Sequence, residues 1–160
     1  MSDVNNGGAP ALPTMLASLC VDRAAEAIEF YRQAFGAREV LARITDGQGR
    51  VGHAELQIGD TVFYLCDEHP EIDILGPHSR GGSPVPFVLH VGDVDARVAA
   101  ALAAGAKLVR PGADQFYGDR TGMVRDPFGF HWLVSTHVED ISEAELLRRA
   151  AELERRGAGG

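Results

Sequence analysis

The sequence predicts an α+β fold built from two sequential βαβββ units and a C-terminal helix. Three observations carry this reading. Landmark residues recur about seventy positions apart: Val21 and Val91, Gly52 and Gly122, Gly59 and Gly129, with Gly36 and Gly105 one position closer. Each copy opens on a short apolar run and continues into an Ala-rich stretch of helical period. Each then breaks into short β-like segments punctuated by Gly, Pro and Asp. Self-similarity at a fixed period marks a repeated unit.

Unit one covers residues 14–67. Met15 to Val21 reads as a strand. From Arg23 to Phe35 the residues Ala24, Ile28, Tyr31 and Phe35 fall on one apolar stripe, the mark of an amphipathic helix. Gly36 stands where a left-handed residue stops such a helix. Glu39 to Ile44 predicts a strand, and Asp46-Gly47-Gln48-Gly49 a turn. His53 to Ile58 alternates with a period of two, as a half-exposed strand does. Gly59-Asp60 turns the chain into a last strand, Thr61 to Cys66. Residues 68–84 form a linker rich in Pro, Gly, His and Ser, without periodicity.

Unit two, residues 85–140, repeats the order. Pro86 to Val91 is a strand and Val94 to Ala104 a helix with Val94, Val98 and Ala101 on its stripe. Lys107 to Arg110 is a strand that Pro111-Gly112 ends. Thr121 to Arg125 and His131 to Thr136 are two more, joined by Asp126-Pro127-Phe128-Gly129. Ser142-Glu143-Ala144-Glu145 has the form of a capping box. It opens a last helix with a thin stripe of Leu146, Ala150 and Leu153. Residues 141–160 are this helix and a frayed tail. Residues 1–13 read as a disordered leader.

Composition narrows the function classes. The formal charge of −8 over 160 residues argues against a nucleic-acid partner, which needs clustered Lys and Arg. No apolar run is long enough to span a membrane, and the N-terminus shows no secretory pattern. The two cysteines, Cys20 and Cys66, lie in apolar strand-like runs. They are expected to be buried thiols of a cytoplasmic protein rather than a disulfide framework.

Ala27-Ile28-Glu29-Phe30-Tyr31 followed by Phe35-Gly36-Ala37, and His53-Ala54-Glu55-Leu56, precede a third string. It runs Gln115-Phe116-Tyr117-Gly118-Asp119-Arg120, Asp126-Pro127-Phe128-Gly129, Trp132 and Thr136-His137-Val138-Glu139-Asp140. Over about Pro13 to Asp140 this resembles the vicinal oxygen chelate superfamily of glyoxalase I, bleomycin-binding proteins and extradiol dioxygenases, in its PhnB-like branch. The resemblance implies mixed sheets curled around a cleft, and a homodimer. It leaves the substrate open, because one fold hosts many functions.

In metal-dependent relatives each unit supplies one ligand from its first strand and one from its last. Here the resemblance puts those positions on Leu16, Pro86, Leu133, and Phe63 or Tyr64. None suits a divalent ion at neutral pH, so no metal or other cofactor is expected. A displaced set, Cys20, His90 and His131, is the alternative. Phe63, Val88, Leu133 and Trp132 are expected as apolar cleft wall, and Ser18, Cys20, His90, His131 and Ser135 as its polar points. Tyr117 and Asp119 sit in a Gly-containing loop of the kind that gates ligands. His53 and Glu55, two apart on one strand face, are candidate acid/base groups. Arg120, Arg125 and Asp126 read as an ion-pair cluster, Trp132 as core, and His137, Glu139 and Asp140 as residues that place the final helix. The expected function is a metal-free binder of an apolar or aromatic small molecule. A lyase or isomerase and a dimeric scaffold are the alternatives.

Overall fold

A computed structural model describes residues 13–157; the rest of the expected leader and the last three residues lie outside them. Unit one contributes β1 (Ser18–Val21), α1 (Ala24–Phe35), β2 (Arg38–Glu39), β3 (Ile44–Thr45), β4 (Val51–Ile58) and β5 (Thr61–Asp67). They form one sheet in the order β1-β5-β4-β2, with β3 also on β4. The linker carries a 3-10 turn, Pro70–Ile72, and a short helix α2 (Pro77–Arg80). Unit two contributes β6 (Phe87–His90), α3 (Val94–Ala103), β7 (Lys107–Asp114), β8 (Asp119–Arg125) and β9 (His131–His137), in the order β6-β9-β8-β7. Helix α4 (Glu143–Gly157) closes the chain. In each sheet the first strand pairs parallel with the last, and the other pairs are antiparallel.

The expected βαβββ order holds in both units, with three corrections. The single strand expected over Glu39 to Ile44 is two short ones, β2 and β3, that pair separately with β4. β7 does not stop at Pro111-Gly112 but runs to Asp114 with register shifts. It is an edge strand, where a missing N–H and a bulge are tolerated. The aperiodic linker also folds. Glu68 accepts the Gly76 N–H at 2.7 Å and the Ser79 hydroxyl at 3.0 Å, and that pulls the chain back over β1.

Local chemistry explains the helices. Gly36 ends α1 in the left-handed region, φ 70°, and its N–H returns to Arg32 O. Arg23 offers no cap at the other end. Asp67, at the end of β5, does so instead: Oδ1 accepts the Ala24 N–H and Oδ2 the Val51 N–H, each at 2.7 Å. One carboxylate thus fixes α1 against both central strands of its sheet. In α3 the cap is local, with Asp93 accepting the Ala96 N–H at 3.0 Å.

The two units share one core. Helices α1 and α3 pack together, and Arg97 of α3 donates to Ala34 O at 3.0 Å. The Tyr31, Phe35, Phe63, Phe128 and Trp132 rings meet within one cluster. At its centre is Asp126, 4% exposed. The expected ion-pair cluster does not form around it. Arg120 is held instead by Asp95 and Asp114, each at 2.9 Å. Asp126 Oδ2 accepts from the Tyr31 hydroxyl at 2.8 Å and the Trp132 indole at 2.9 Å. Oδ1 accepts the backbone N–H groups of Phe128 and Phe130, both at 2.9 Å.

Burial pushes the Asp126 carboxyl above the usual carboxylate range, against the pull of these four donors. Its contribution to stability is therefore greatest at low pH and is lost as pH rises through the raised folded-state pKa. Asp126→Ala would leave four buried donors without their acceptor. It should cost ~3 kcal/mol or more, a fall in Tm of roughly 6–12 °C by calorimetry for a chain of this size. Tyr31→Phe, which removes one donor only, should cost about 1 kcal/mol.

Candidate functional site

Alternation along each strand sorts side chains onto two faces. Leu19, Val21, Ala54, Leu56, Phe63 and Leu65 are buried beneath the helices in unit one, as are Val124, Trp132 and Val134 in unit two. The pairs Leu56–Phe63 and Ala54–Leu65 correspond to Val124–Trp132 and Gly122–Val134. The repeat therefore slips by one to two residues in the last hairpin, whose turn is longer in unit two. Ala54, not Gly52, is the counterpart of Gly122. Val62, not Thr61, is the counterpart of His131, and Tyr64 that of Leu133.

On this register the positions that the resemblance assigns to metal ligands are Leu16, Tyr64 rather than Phe63, Pro86 and Leu133. Two leucines, a proline and a phenol do not fit a divalent ion. Cys20, His90 and His131 do not gather either. Among the described residues no three His, Cys, Asp or Glu side chains converge at metal-binding distance.

A cavity of roughly 1180 Å³ opens between the units. Leu16, Leu19 and Phe63 line it from unit one, and Phe87, Val88 and His90 from unit two. Phe35 and Trp132, with ring centroids 4.6 Å apart, form its buried part; Val88, 55% exposed, stands at its mouth. Ala17, Thr61 and Arg97 also reach it. The lining is mostly apolar with few polar points, as small-molecule sites are.

The structure brings together only part of the expected set. Phe63, Val88, His90 and Trp132 line the cavity. Leu133 is half-buried on β9, between Val88 and Met123 of the neighbouring strands. Ser18 and Cys20 lie on the outward face of β1, paired with Tyr64 and Cys66. Both thiols are free, and burial pushes Cys20 up to about 12. His131 lines a different hollow, under the linker. Tyr117 is exposed and packs edge-on against Phe116 at 5.2 Å.

His53 Nε2 and Glu55 Oε1 lie 3.2 Å apart, with the Tyr64 ring 4.8 Å from the imidazole; neither His53 nor Glu55 lines the cavity. Asp119, expected in a ligand-gating loop, is instead a hub of hydrogen bonds at the start of β8. It accepts the Ser135 hydroxyl at 2.9 Å and meets His137 Nδ1 at 3.0 Å, while His137 Nε2 meets Asp140 at 2.8 Å. Glu139 pairs with Arg149 at 2.8 Å and so anchors α4. The cavity residues that sequence reasoning missed, Leu19, Phe35, Phe87 and Arg97, sit on helix ends and inward strand faces. Phe35 alone carried a signal, as the last residue of the α1 stripe.

The sequence profile of the Glyoxalase/Bleomycin resistance protein/Dioxygenase superfamily matches residues 14–134. The uncharacterized protein Rv0887c of Mycobacterium tuberculosis is 42% identical over 137 residues, 84% of this chain and 80% of that protein. The crystal structure of TioX from Micromonospora sp. ML1 superposes with a TM-score of 0.61 at 28% identity, covering 78% of this chain and 98% of that one. A PhnB protein from Bacillus cereus, at 16% identity and a TM-score of 0.57 over 78% of this chain and 99% of that one, shares the fold.

Its hydrogen bonds to the Asp119 and Asp140 carboxylates hold the His137 imidazole above its ordinary range. An NMR titration should therefore find His137 protonated at a higher pH than a free histidine. Asp119→Asn should move that midpoint down, and an unmoved midpoint would break the assignment.

Proposed function

Because the chain belongs to the glyoxalase/bleomycin resistance/dioxygenase superfamily, we propose that it is a cytoplasmic binding protein of the bleomycin-resistance type. It sequesters or carries an apolar or aromatic small molecule in the cleft between its units, without a metal. One observation carries this reading: a large apolar cavity lies between the repeats, while the positions that bind metal in relatives hold leucine, proline and phenol. His90 and Arg97 give the ligand a few polar contacts and so an orientation. Trp132 and Phe35 offer ring faces for stacking.

The working form is a homodimer. Leu41, Ile44 and Leu108 are each at least half exposed, and β7 is an open edge; a second copy covers such surfaces. Light scattering should give twice the chain mass at micromolar concentration.

Trp132 is the only tryptophan in the chain, so its fluorescence reports occupancy directly. Aromatic ligands recovered by native mass spectrometry from the producing cell should shift or quench it. Val88→Trp, at the mouth, should block their entry while the protein stays folded. Unaltered ligand uptake in that variant would exclude the cleft.

A second reading rests on the His53–Glu55 contact at 3.2 Å, an imidazole–carboxylate pair suited to proton transfer. If the protein is a lyase or isomerase of this kind, its substrate meets this pair outside the cleft, and His53→Ala should abolish turnover of the recovered ligand and leave its binding intact. In a pure binder the same variant changes neither.

A further inference from the structure

We propose that the hollow between the linker and the end of unit two is a second site, which takes the dianionic head of a phosphate monoester. It measures roughly 640 Å³ and shares no lining residue with the cleft. Its walls come from Pro77, His78 and Gly81-Gly82 of the linker on one side and from Lys107, Arg125 and His131 on the other.

Strand pairing assembles the charged wall. Lys107 of β7 is the cross-strand partner of Arg125 of β8, and Arg125 is the partner of His131 of β9. Three nitrogen-bearing side chains therefore stand in one row on one face of the sheet. Like charges placed directly opposite each other destabilise a sheet, so this row costs the fold something when nothing faces it.

Several arginines elsewhere have carboxylate partners among the described residues, although Arg38, Arg97, Arg110 and Arg155 do not. Arg50 is answered by Asp46, Arg120 by Asp95 and Asp114, and Arg149 by Glu139 and Glu145. Among the described residues no carboxylate lies within ion-pair distance of Lys107 or Arg125, in a chain whose formal charge is −8. Two carboxylates are near, and both are engaged elsewhere. Asp126 is turned inward onto Tyr31 and Trp132. Asp22 is bonded to His78 at 3.1 Å.

The opposite wall suits a ligand that approaches backbone. Gly81 and Gly82 hold φ values of 81° and 137°, and an added Cβ at either would meet open space. His131 of β9 and, across the hollow, His78, whose Nδ1 is already held by Asp22 at 3.1 Å, line its two sides. The choice of phosphate follows from charge count. Lys107 and Arg125 supply two fixed positive charges, which a dianion answers and a monocarboxylate only half answers. The guanidinium fork binds two phosphoryl oxygens at once. The remaining volume leaves room for an organic group on the ester.

Phenyl phosphate is the probe. Titration calorimetry of the full-length protein at low ionic strength should show one saturable site per chain. Arg125→Gln and Lys107→Gln should each weaken it by about tenfold or more. Benzoate should bind more weakly than phenyl phosphate, and added salt should weaken both. Lys107 and Arg125 are exposed, so both variants should fold, which circular dichroism checks. Arg155→Gln, on α4, should change nothing. The proposal fails if phenyl phosphate shows no saturable binding at millimolar concentration. It also fails if Arg125→Gln and Lys107→Gln bind as the parent does, or if Arg155→Gln weakens binding equally.

Discussion

One buried carboxylate holds the halves of this protein in register. Asp126 draws donors from three places: the hydroxyl of Tyr31 on the helix of unit one, the indole of Trp132 on the last strand of unit two, and two amides of its own turn. A charge so deep is tolerable only because all four partners are in place. The consequences spread outward. Tyr31 sets the rotation of α1 about its axis, which presents Phe35 to Trp132. Those two rings are the buried end of the cleft. The cavity between the units is thus built on a polar contact that lies outside its lining.

The duplication explains why the cleft exists and why its walls differ. Both units bury the same faces of the same strands, but the longer turn around Asp126 shifts the last hairpin of unit two. That shift brings a tryptophan to the place of Phe63 and a leucine opposite Tyr64. Two copies of one frame then meet with unlike side chains, which is how a symmetric scaffold acquires a site with a direction.

Much of this was readable in the sequence because it rests on short-range periodicity. The stripe of Ala24, Ile28, Tyr31 and Phe35 predicts α1, and Gly36 its end, within a residue. The alternation in His53 to Ile58 locates β4. What was not readable depends on long-range partners. Nothing near Arg23 announces that Asp67 caps α1 from the end of β5. Pro111-Gly112 looks like a stop, and only the edge position of β7 makes it passable. The candidate site was half visible for the same reason. Val88 and His90 lie on a strand whose outward face could be inferred, whereas Leu19, Phe35 and Arg97 reach the cavity through the packing of one unit on the other. Asp126 reads as part of an ion-pair cluster with Arg120 and Arg125 because its actual partners stand up to 95 positions away.

The linker has a part beyond connection. At Gly76 a side chain would strike the carbonyl oxygen of Cys20, and at Gly129 one would strike Pro77. Two consecutive residues, Gly76 and Pro77, are therefore seated on different units, one on β1 and the other on the turn that carries Asp126. The seam of the duplication is a rivet rather than a tether. Halves of related proteins recombined at this seam would have to inherit Gly76-Pro77 and Gly129 together.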